Sequence, residues 1–317
     1  LAEVVDDAER HYADIIEAEN PDVLHAHFGP MGVELCPQRT PDRPLVTSFY
    51  GSDASQLVDR GEAMRSAYRD LFKTGDLFLV EGPSMREKLL QLGCPEKKIA
   101  LQRIAIDTER IVPHYPIPDG EWRILLAGRF VEKKGIPDGI RAFASAFSDI
   151  DGAELRIVGG ESGEITRARL ETIATEHGIR DQVVFTGFLE YSEYLDEVRN
   201  CDLLLAPSKT AESGDSEGGA PTVLLEAQAS GSPIVATTHA DIPYVVEDDV
   251  AGKLASPGDV RGLADALRWF IDHPEKLSSM GEAGRENMER HHDVRGLVTQ
   301  LERRYDRLQG GYADESR

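Results

Sequence analysis

Short apolar runs alternate with amphipathic stretches along almost the whole chain. The strand-length runs are Val23–Phe28, Leu45–Phe49, Leu77–Val80, Ile99–Ile104, Ile124–Ala127, Leu155–Val158, Val183–Thr186, Leu203–Ala206 and Ile234–Thr237. Near-continuous apolar strands separated by helices predict parallel sheets covered on both faces. The helical runs have readable ends. Ser84-Met-Arg-Glu87 reads as a capping box opening a helix that stops near Gly93; Ile165–His177 closes at Gly178; Asp259 precedes Val260–Ile271. A further helix-like run, Leu1–Ala18, ends at Asn20-Pro21. Between Pro113 and Pro118, three prolines in six residues resist both helix and sheet interior, which places a domain boundary there. Trp122 then restarts the strand–helix series, and the short polar tail Gly310–Arg317 closes the chain.

A length of 317 residues suits two domains, each able to bury its own core. Asp and Glu total 57 against 35 Lys and Arg, a formal charge of −22, so a nucleic-acid backbone is excluded as the natural partner. No apolar run approaches the length of a membrane span. Cys36, Cys94 and Cys201 are far apart and odd in number, which fits a reducing cytoplasm better than a disulfide framework or a metal knuckle. Only nine of the basic residues are Lys, against 26 Arg. Such a surface stays soluble where concentrated salt screens carboxylate repulsion, and a halophilic, salt-adapted setting is expected over that of an ordinary acidic enzyme.

Four places could carry chemistry. The segment Gly128–Gly135 follows a strand directly, in the crevice position where open α/β sheets bind ligands. Arg129 and Lys134 can face one point there, a guanidinium fork and a point charge that suit a diphosphate; a solvated charged loop is the bland alternative. The second place is Asp215-Ser-Glu217-Gly218-Gly219-Ala220-Pro221-Thr222-Val223-Leu224-Leu-Glu226. Its small residues admit close backbone approach, Pro221 pre-sets φ for a first helical turn, and the N–H groups of Thr222 to Leu224 offer a helix N-terminus to an anion. Glu226, about one turn in, needs hydroxyl donors such as those of a ribose if buried; the alternative is a capped surface helix with both glutamates exposed. Third, Val158-Gly159-Gly160-Glu161-Ser-Gly163 lacks the full dinucleotide fingerprint and reads as a tight turn. Fourth, His25 and His27 point to one face at strand spacing without an obvious third ligand, so hydrogen bonding in a core or acceptor site is expected, and no metal.

The order of these pieces is more specific than any one of them. His25-Ala-His-Phe-Gly29, Gly51-Ser-Asp53, Gly93-Cys-Pro95, Ile106-Asp107, Gly128-Arg129 with Glu132-Lys-Lys-Gly135, Val158-Gly159, Gly187-Phe188, Pro207-Ser208, Glu217 with Glu226, and Met280-Gly-Glu-Ala-Gly-Arg285 together resemble a retaining GT-B glycosyltransferase of family 4 (glycosyl transferases group 1). Within that family the likeness is to the exopolysaccharide, colanic-acid-type enzymes. It covers essentially the whole chain. It implies an α/β fold of two Rossmann-like parallel-sheet domains facing a cleft: an incomplete acceptor-side domain over 1–115, a nucleotide-sugar domain over 121–290, and a helix over 293–310 crossing back. The strand and glycine-rich loop that open the family's first domain have no counterpart ahead of Val23, so Leu1 is not expected to be the biological start.

The resemblance further implies a metal-independent hexosyltransferase with no cofactor. Its donor is a nucleoside-diphosphate sugar, with a UDP-sugar expected, and its acceptor a glycan or lipid-linked chain in cell-surface polysaccharide biosynthesis. Arg129 and Lys134 would hold the diphosphate and stabilise the leaving group, interactions each worth about 3–4 kcal/mol. Substitution of either to alanine is expected to cost turnover far more than stability. Glu226 would bind the ribose, Glu217 with Gly218 to Pro221 the donor sugar, and Thr222, Val223 and Leu224 the β-phosphate. Phe188 and Leu189 would line the base pocket through their backbone, Gly159 would also lie on the donor side, and His27, Tyr50 and Asp53 would lie on the acceptor and sugar side. Eight residues separate Glu217 from Glu226 where the family has seven, and Tyr50 stands where the family has His. The expected setting is the cytoplasm, with weak peripheral contact at the inner face of the membrane. A sugar-nucleotide-binding module without transfer activity, or a GT-B sugar-nucleotide epimerase, are the alternatives; a nicotinamide oxidoreductase lacks its fingerprint. The composition carries a test of its own: the thermal unfolding midpoint should rise as KCl is raised toward about 1 M, where the Debye length falls to about 3 Å, and a flat or falling midpoint refutes salt adaptation.

Overall fold

The structure is a computed structural model describing residues 12–59, 61–117 and 119–310. Most of the run Leu1–Ala18, Pro118, and the tail beyond Gly310 lie outside the described residues; within the first of these, 12–19 are helical. The chain divides into two compact units, one reaching to Arg103 and resuming at Arg295, the other Ile104–Val294. The division falls ahead of the proline-rich stretch. Residues 104–117 are held inside the second unit instead: Ile106 N–H donates to His292 O (2.9 Å), His114 N–H to Ser230 O (2.7 Å), and the buried Arg285 guanidinium to the carbonyls of Thr108, Ile111 and Ala229 (2.7 Å each).

The first unit holds a four-stranded parallel sheet, β1 (Leu24–His27), β2 (Leu45–Phe49), β3 (Leu77–Val80) and β4 (Ile99–Leu101), in that order. Every residue of β2 is buried, as expected of a strand covered on both faces. Phe49, Tyr68, Phe72 and Phe78 form an aromatic cluster beneath it, ring centroids 5.2–6.3 Å apart. The helix Val294–Leu308 belongs to this unit, where Arg304 donates to Leu101 O (2.7 Å). One local expectation fails. The helix Pro83–Gln91 begins with Pro at its first turn and Gly82 at its N-cap, with no side-chain cap, so Ser84 lies inside the helix and forms no capping box. Proline's fixed φ and missing N–H suit that first turn, leaving Ser84 two positions past the N-cap.

The second unit carries a six-stranded parallel sheet in the order β10-β9-β8-β5-β6-β7. Its strands are β5 (Trp122–Ala127), β6 (Ala153–Val158), β7 (Val183–Gly187), β8 (Leu203–Ala206), β9 (Ile234–Thr237) and β10 (Gly252–Ala255). Alternate side chains feed two cores. Ile124, Leu126, Leu203 and Leu205 pack with the helices Ile136–Phe147 and Val260–Asp272; Leu125, Leu204 and Ala206 pack with Val198 and the helix Thr222–Ala229. The edge strand β10 was not expected, because Gly252 and Lys253 interrupt its apolar run. The helix Val260–Asp272 starts as expected, with Asp259 accepting from Gly262 N–H (2.9 Å).

Strand order reverses between β5 and β8, which pair directly (Ile124 with Leu203) while their crossovers depart to opposite sides. The loops leaving these two strands therefore diverge around one crevice, the ligand position of open α/β sheets. Gly135 brings them together. It sits at φ +63°, and a Cβ there would lie 1.9 Å from Pro207 O. Gly135→Ala should thus destabilise the protein by about 2–4 kcal/mol, read as a lowered unfolding midpoint. Gly178→Ala, also at positive φ (+73°) but with nothing within 4 Å of the added carbon, should cost only about 1–2 kcal/mol. Equal losses would show that the close approach to Pro207 contributes nothing.

Candidate active site

The loop after β5 passes through a short turn at Glu132–Lys134 before the helix Ile136–Phe147. That turn sends its lysines to different partners. Lys133 is buried and donates to Asp215 Oδ1 (3.1 Å) and Ser216 O (3.3 Å), clamping the two loops. Lys134 Nζ lies 2.8 Å from Glu217 Oε1, and both side chains are largely out of water. Glu217 also accepts from Ser208 Oγ (3.2 Å), and its own N–H donates to His239 Nε2 (3.2 Å). Two of the expected catalytic residues therefore meet as an ion pair. By contrast, the exposed Arg129 guanidinium makes no hydrogen bond or ion pair with the described residues.

A pocket of about 400 Å³ opens at this crevice, lined among others by Arg129, Lys134, Tyr191, Tyr194, Thr222 and Glu226. Pro221 is the N-cap of the helix Thr222–Ala229 rather than part of its first turn. Leu224 N–H donates to Pro221 O (3.0 Å) and its side chain is fully buried, so the anion-facing amides narrow to those of Thr222 and Val223. Gly218, Gly219 and Ala220 are buried in the loop ahead of that helix. Glu226 is half-buried one turn into the helix, and burial raises its pKa from the ordinary carboxylate value. Hydrogen bonds from Tyr194 (2.5 Å to Oε2) and Tyr191 (3.1 Å to Oε1) oppose that rise. The two tyrosines, on the helix Tyr191–Asn200, are site residues that the sequence reading missed; only their i, i+3 spacing hints that they share a face.

Other expected positions lie differently. Gly159 does not line the pocket: a Cβ there would meet Gly128 O at 2.1 Å, so its smallness serves the approach of the β5 and β6 loops. Phe188 projects an exposed ring beside Gly160, and Leu189 packs against the core around the helix Thr222–Ala229; neither lines the pocket. A larger cavity, about 500 Å³, lies at the opposite ends of β5 and β6. Its cations are committed, Arg123 to Glu121 (2.7 Å) and Arg156 to Glu197 and Glu154 (2.5 and 2.7 Å), which leaves nothing for a diphosphate.

In the first unit the ends of β1 and β2 carry an aromatic cluster. His25 bridges Ser48 Oγ (2.8 Å) and Tyr305 Oη (2.6 Å), and burial, aided by His27, lowers its pKa to about 4. It is therefore a neutral, structural imidazole at ordinary pH. His27 meets Tyr50 Oη at 2.5 Å, so Tyr50 in place of the family's histidine contacts a histidine directly. Phe28, its ring edge-on to Tyr50 (centroids 5.0 Å), is half exposed at φ +75°, a strained conformation for an aromatic residue. Asp53 needs a correction. Its carboxylate is buried and accepts from the N–H groups of Gly29 (3.0 Å), Gly51 (2.8 Å) and Tyr50 (3.2 Å), so it ties the two strand ends together and does not reach a sugar. Among the described residues no group of three or more His, Cys, Asp or Glu could hold a metal ion, and no helix is long and apolar enough to cross a membrane.

Two cations, a helix N-terminus and a half-buried carboxylate at a switch point have the chemistry to take a phosphorylated, hydroxyl-bearing ligand. The comparisons agree in kind. A family model described as glycosyl transferases group 1 matches residues 107–287, and one described as glycosyltransferase family 4 matches 7–110. The chain is 33% identical over 287 residues to the Escherichia coli protein named as the colanic acid biosynthesis glycosyltransferase WcaL, covering 89% of this chain and 69% of that one. Its fold is similar to sucrose-phosphate synthase from Thermosynechococcus elongatus (TM-score 0.81, 20% identity, 98% of this chain and 79% of that one). It is also similar to Anabaena HepE, solved in complex with UDP and glucose (TM-score 0.77, 18% identity, 96% and 81%). The chain belongs to the glycosyl transferases group 1 family. It is a glycosyltransferase with the GT-B fold.

The pairing of Lys134 separates two substitutions that the sequence treats alike. Arg129→Ala should leave the melting midpoint within about 1 °C, a surface change worth under ~0.5 kcal/mol. Lys134→Ala strands Glu217 without its cation and should lower the midpoint by several degrees, because breaking a buried pair costs about 3–5 kcal/mol. Differential scanning calorimetry decides, and indistinguishable midpoints would refute the pair's contribution.

Proposed function

We propose that this chain transfers a hexose, with retained anomeric configuration, from a nucleoside-diphosphate sugar to a glycan or lipid-linked acceptor in cell-surface polysaccharide biosynthesis. The observation that carries the reading is the pocket itself: Arg129, Lys134, Thr222 and Val223 at a helix N-terminus, and Glu226 line one cavity of about 400 Å³. Cations and helix amides suit the diphosphate, and the carboxylate suits ribose hydroxyls. A UDP-sugar is the donor we favour, in keeping with HepE, whose structure holds UDP and glucose; WcaL's name supports the polysaccharide context.

In the proposed reaction the bond from the sugar's anomeric carbon to the β-phosphate breaks while the acceptor oxygen attacks the same face. The departing phosphate oxygen takes the acceptor's proton. Arg129 and Lys134 stabilise the charge that gathers on the diphosphate, and Glu217, freed in part from Lys134, accepts from sugar hydroxyls. The chain's acidity fits work in the cytoplasm at high salt, at the inner face of a membrane when the acceptor is lipid-linked.

Thermal-shift measurements with UDP-, GDP- and ADP-sugars test the donor class. A ligand at a hundredfold excess over Kd should add about 2.7 kcal/mol, and stabilisation by none of them overturns the reading. With the donor that binds, Arg129→Ala should lower kcat by about 10²–10³, the loss of one electrostatic donor. Unchanged turnover would remove Arg129 from the mechanism.

A further inference from the structure

Glu226 does not present two open carboxylate oxygens to its pocket. Oε2 accepts a 2.5 Å bond from Tyr194 Oη, and Oε1 a 3.1 Å bond from Tyr191 Oη. Both phenols sit on one helix, their ring centroids 6.0 Å apart, and both line the pocket. They are not equivalent. Tyr191 opens the helix and is 60% exposed, with Asp107 and Arg110 acting on it from the segment after β4. Tyr194 is one turn deeper, packed against the core that includes Val198 and Leu225. Burial and the neighbouring carboxylate push both phenols above their ordinary pKa, so each remains a proton donor through neutral pH.

A buried carboxylate must be hydrogen-bonded, and the only question is by what. Turning Tyr191, whose side chain is more than half in water and outside the core, exposes Oε1 to the pocket at the cost of its contact with the Tyr194 ring. Releasing Tyr194 requires the core against it to move. A ribose hydroxyl offers the same O–H donor chemistry as a phenol and can replace Tyr191 one for one.

We propose that Tyr191 is a displaceable stand-in for a ribose hydroxyl, and that Tyr194 is a fixed positioning residue which holds Oε2, so that Glu226 reads the nucleotide through Oε1. This rests on the reading of the pocket as a nucleotide-sugar site and goes further, because it assigns opposite roles to two identical side chains three residues apart. Tyr191 competes with the ligand, and Tyr194 aims the carboxylate at it.

Isothermal titration with UDP, GDP and ADP, and with inorganic pyrophosphate as a ribose-free probe, tests it on the full chain. For the nucleotide that binds the wild type, Tyr191→Phe should tighten binding about two- to tenfold, the worth of one competing hydrogen bond. Tyr194→Phe should weaken it about tenfold, the worth of a bond to a charged group at the low end of its range. Pyrophosphate affinity should stay within about twofold in both variants, a limit of ~0.4 kcal/mol. In steady-state assays the donor KM should follow these shifts while kcat stays level. Tyr191→Phe alone suffices to overturn the inference: unchanged or weaker nucleotide binding refutes the stand-in role, whether or not Tyr194→Phe folds. Pyrophosphate and nucleotide shifting together would show a general distortion and overturn it equally. A wild-type chain that binds none of the three nucleotides fails the functional reading itself, and the inference with it.

Discussion

The Lys134–Glu217 pair is the constraint around which the second unit's site is arranged. Two opposite charges 2.8 Å apart and largely removed from water are tolerable only together, since either one alone carries an uncompensated desolvation cost of several kcal/mol. The pair joins the turn after β5 to the loop after β8, and those loops leave adjacent strands toward opposite sides. Backbone geometry enforces the same approach, with Gly135 against Pro207 O. Lys133 clamps the loops a second time through Asp215. Ser208 and His239 then fix the position of Glu217. With this arrangement in place, Arg129 is the cation left facing the pocket without a partner among the described residues.

The net charge of −22 gives that arrangement its functional weight. A polyanionic protein repels a diphosphate at long range, and screening by salt weakens the repulsion without producing attraction. Binding therefore depends on local cations and oriented amides. The cavity between the other ends of β5 and β6 is larger, yet it cannot serve, because its arginines are neutralised by adjacent carboxylates. What sets the smaller pocket apart is Arg129, a lining cation without a partner among the described residues, since Lys134 is itself paired.

Much of the fold was legible from pattern alone. The strands β2, β3, β8 and β9 match the expected runs residue for residue, because strands covered on both faces carry no charged position to blur their ends, and their few hydroxyl residues (Thr47, Ser48, Thr237) are themselves buried. Where burial is one-sided or the strand lies at an edge, the signal weakens, and β10 with Gly252 and Lys253 was missed for that reason. Ser84 and Asp53 show a different limit. Each is a residue type with a strong local preference, but Pro83 and the strand-end amides of Gly29 and Gly51 decide what it does. The candidate site was legible wherever spacing was local, as with Arg129 and Lys134. It was illegible where partners are remote: Tyr194 and Glu226 are 32 residues apart, and a tyrosine pair on a short helix carries no mark of the carboxylate it meets.

The two glutamates of the site thus share one design logic. Each is a carboxylate largely removed from water and satisfied by a side chain of this chain, but the substrate enters the two contacts differently: it can replace the hydroxyl donor on Glu226, whereas it can only compete with Glu217 for Lys134. Lys134 satisfies Glu217, and a diphosphate can compete for that lysine; Tyr191 satisfies Glu226, and a sugar or ribose hydroxyl can compete for that carboxylate. Binding then exchanges internal partners for ligand partners, with little net change in the number of hydrogen bonds. The affinity gained is the difference between two similar interactions, which is modest for any single group. Selectivity follows from the same exchange. A ligand that presents its anion but lacks the hydroxyl can take Lys134 from Glu217 and still leave Glu226 bonded to both tyrosines, so it gains from only one of the two replacements.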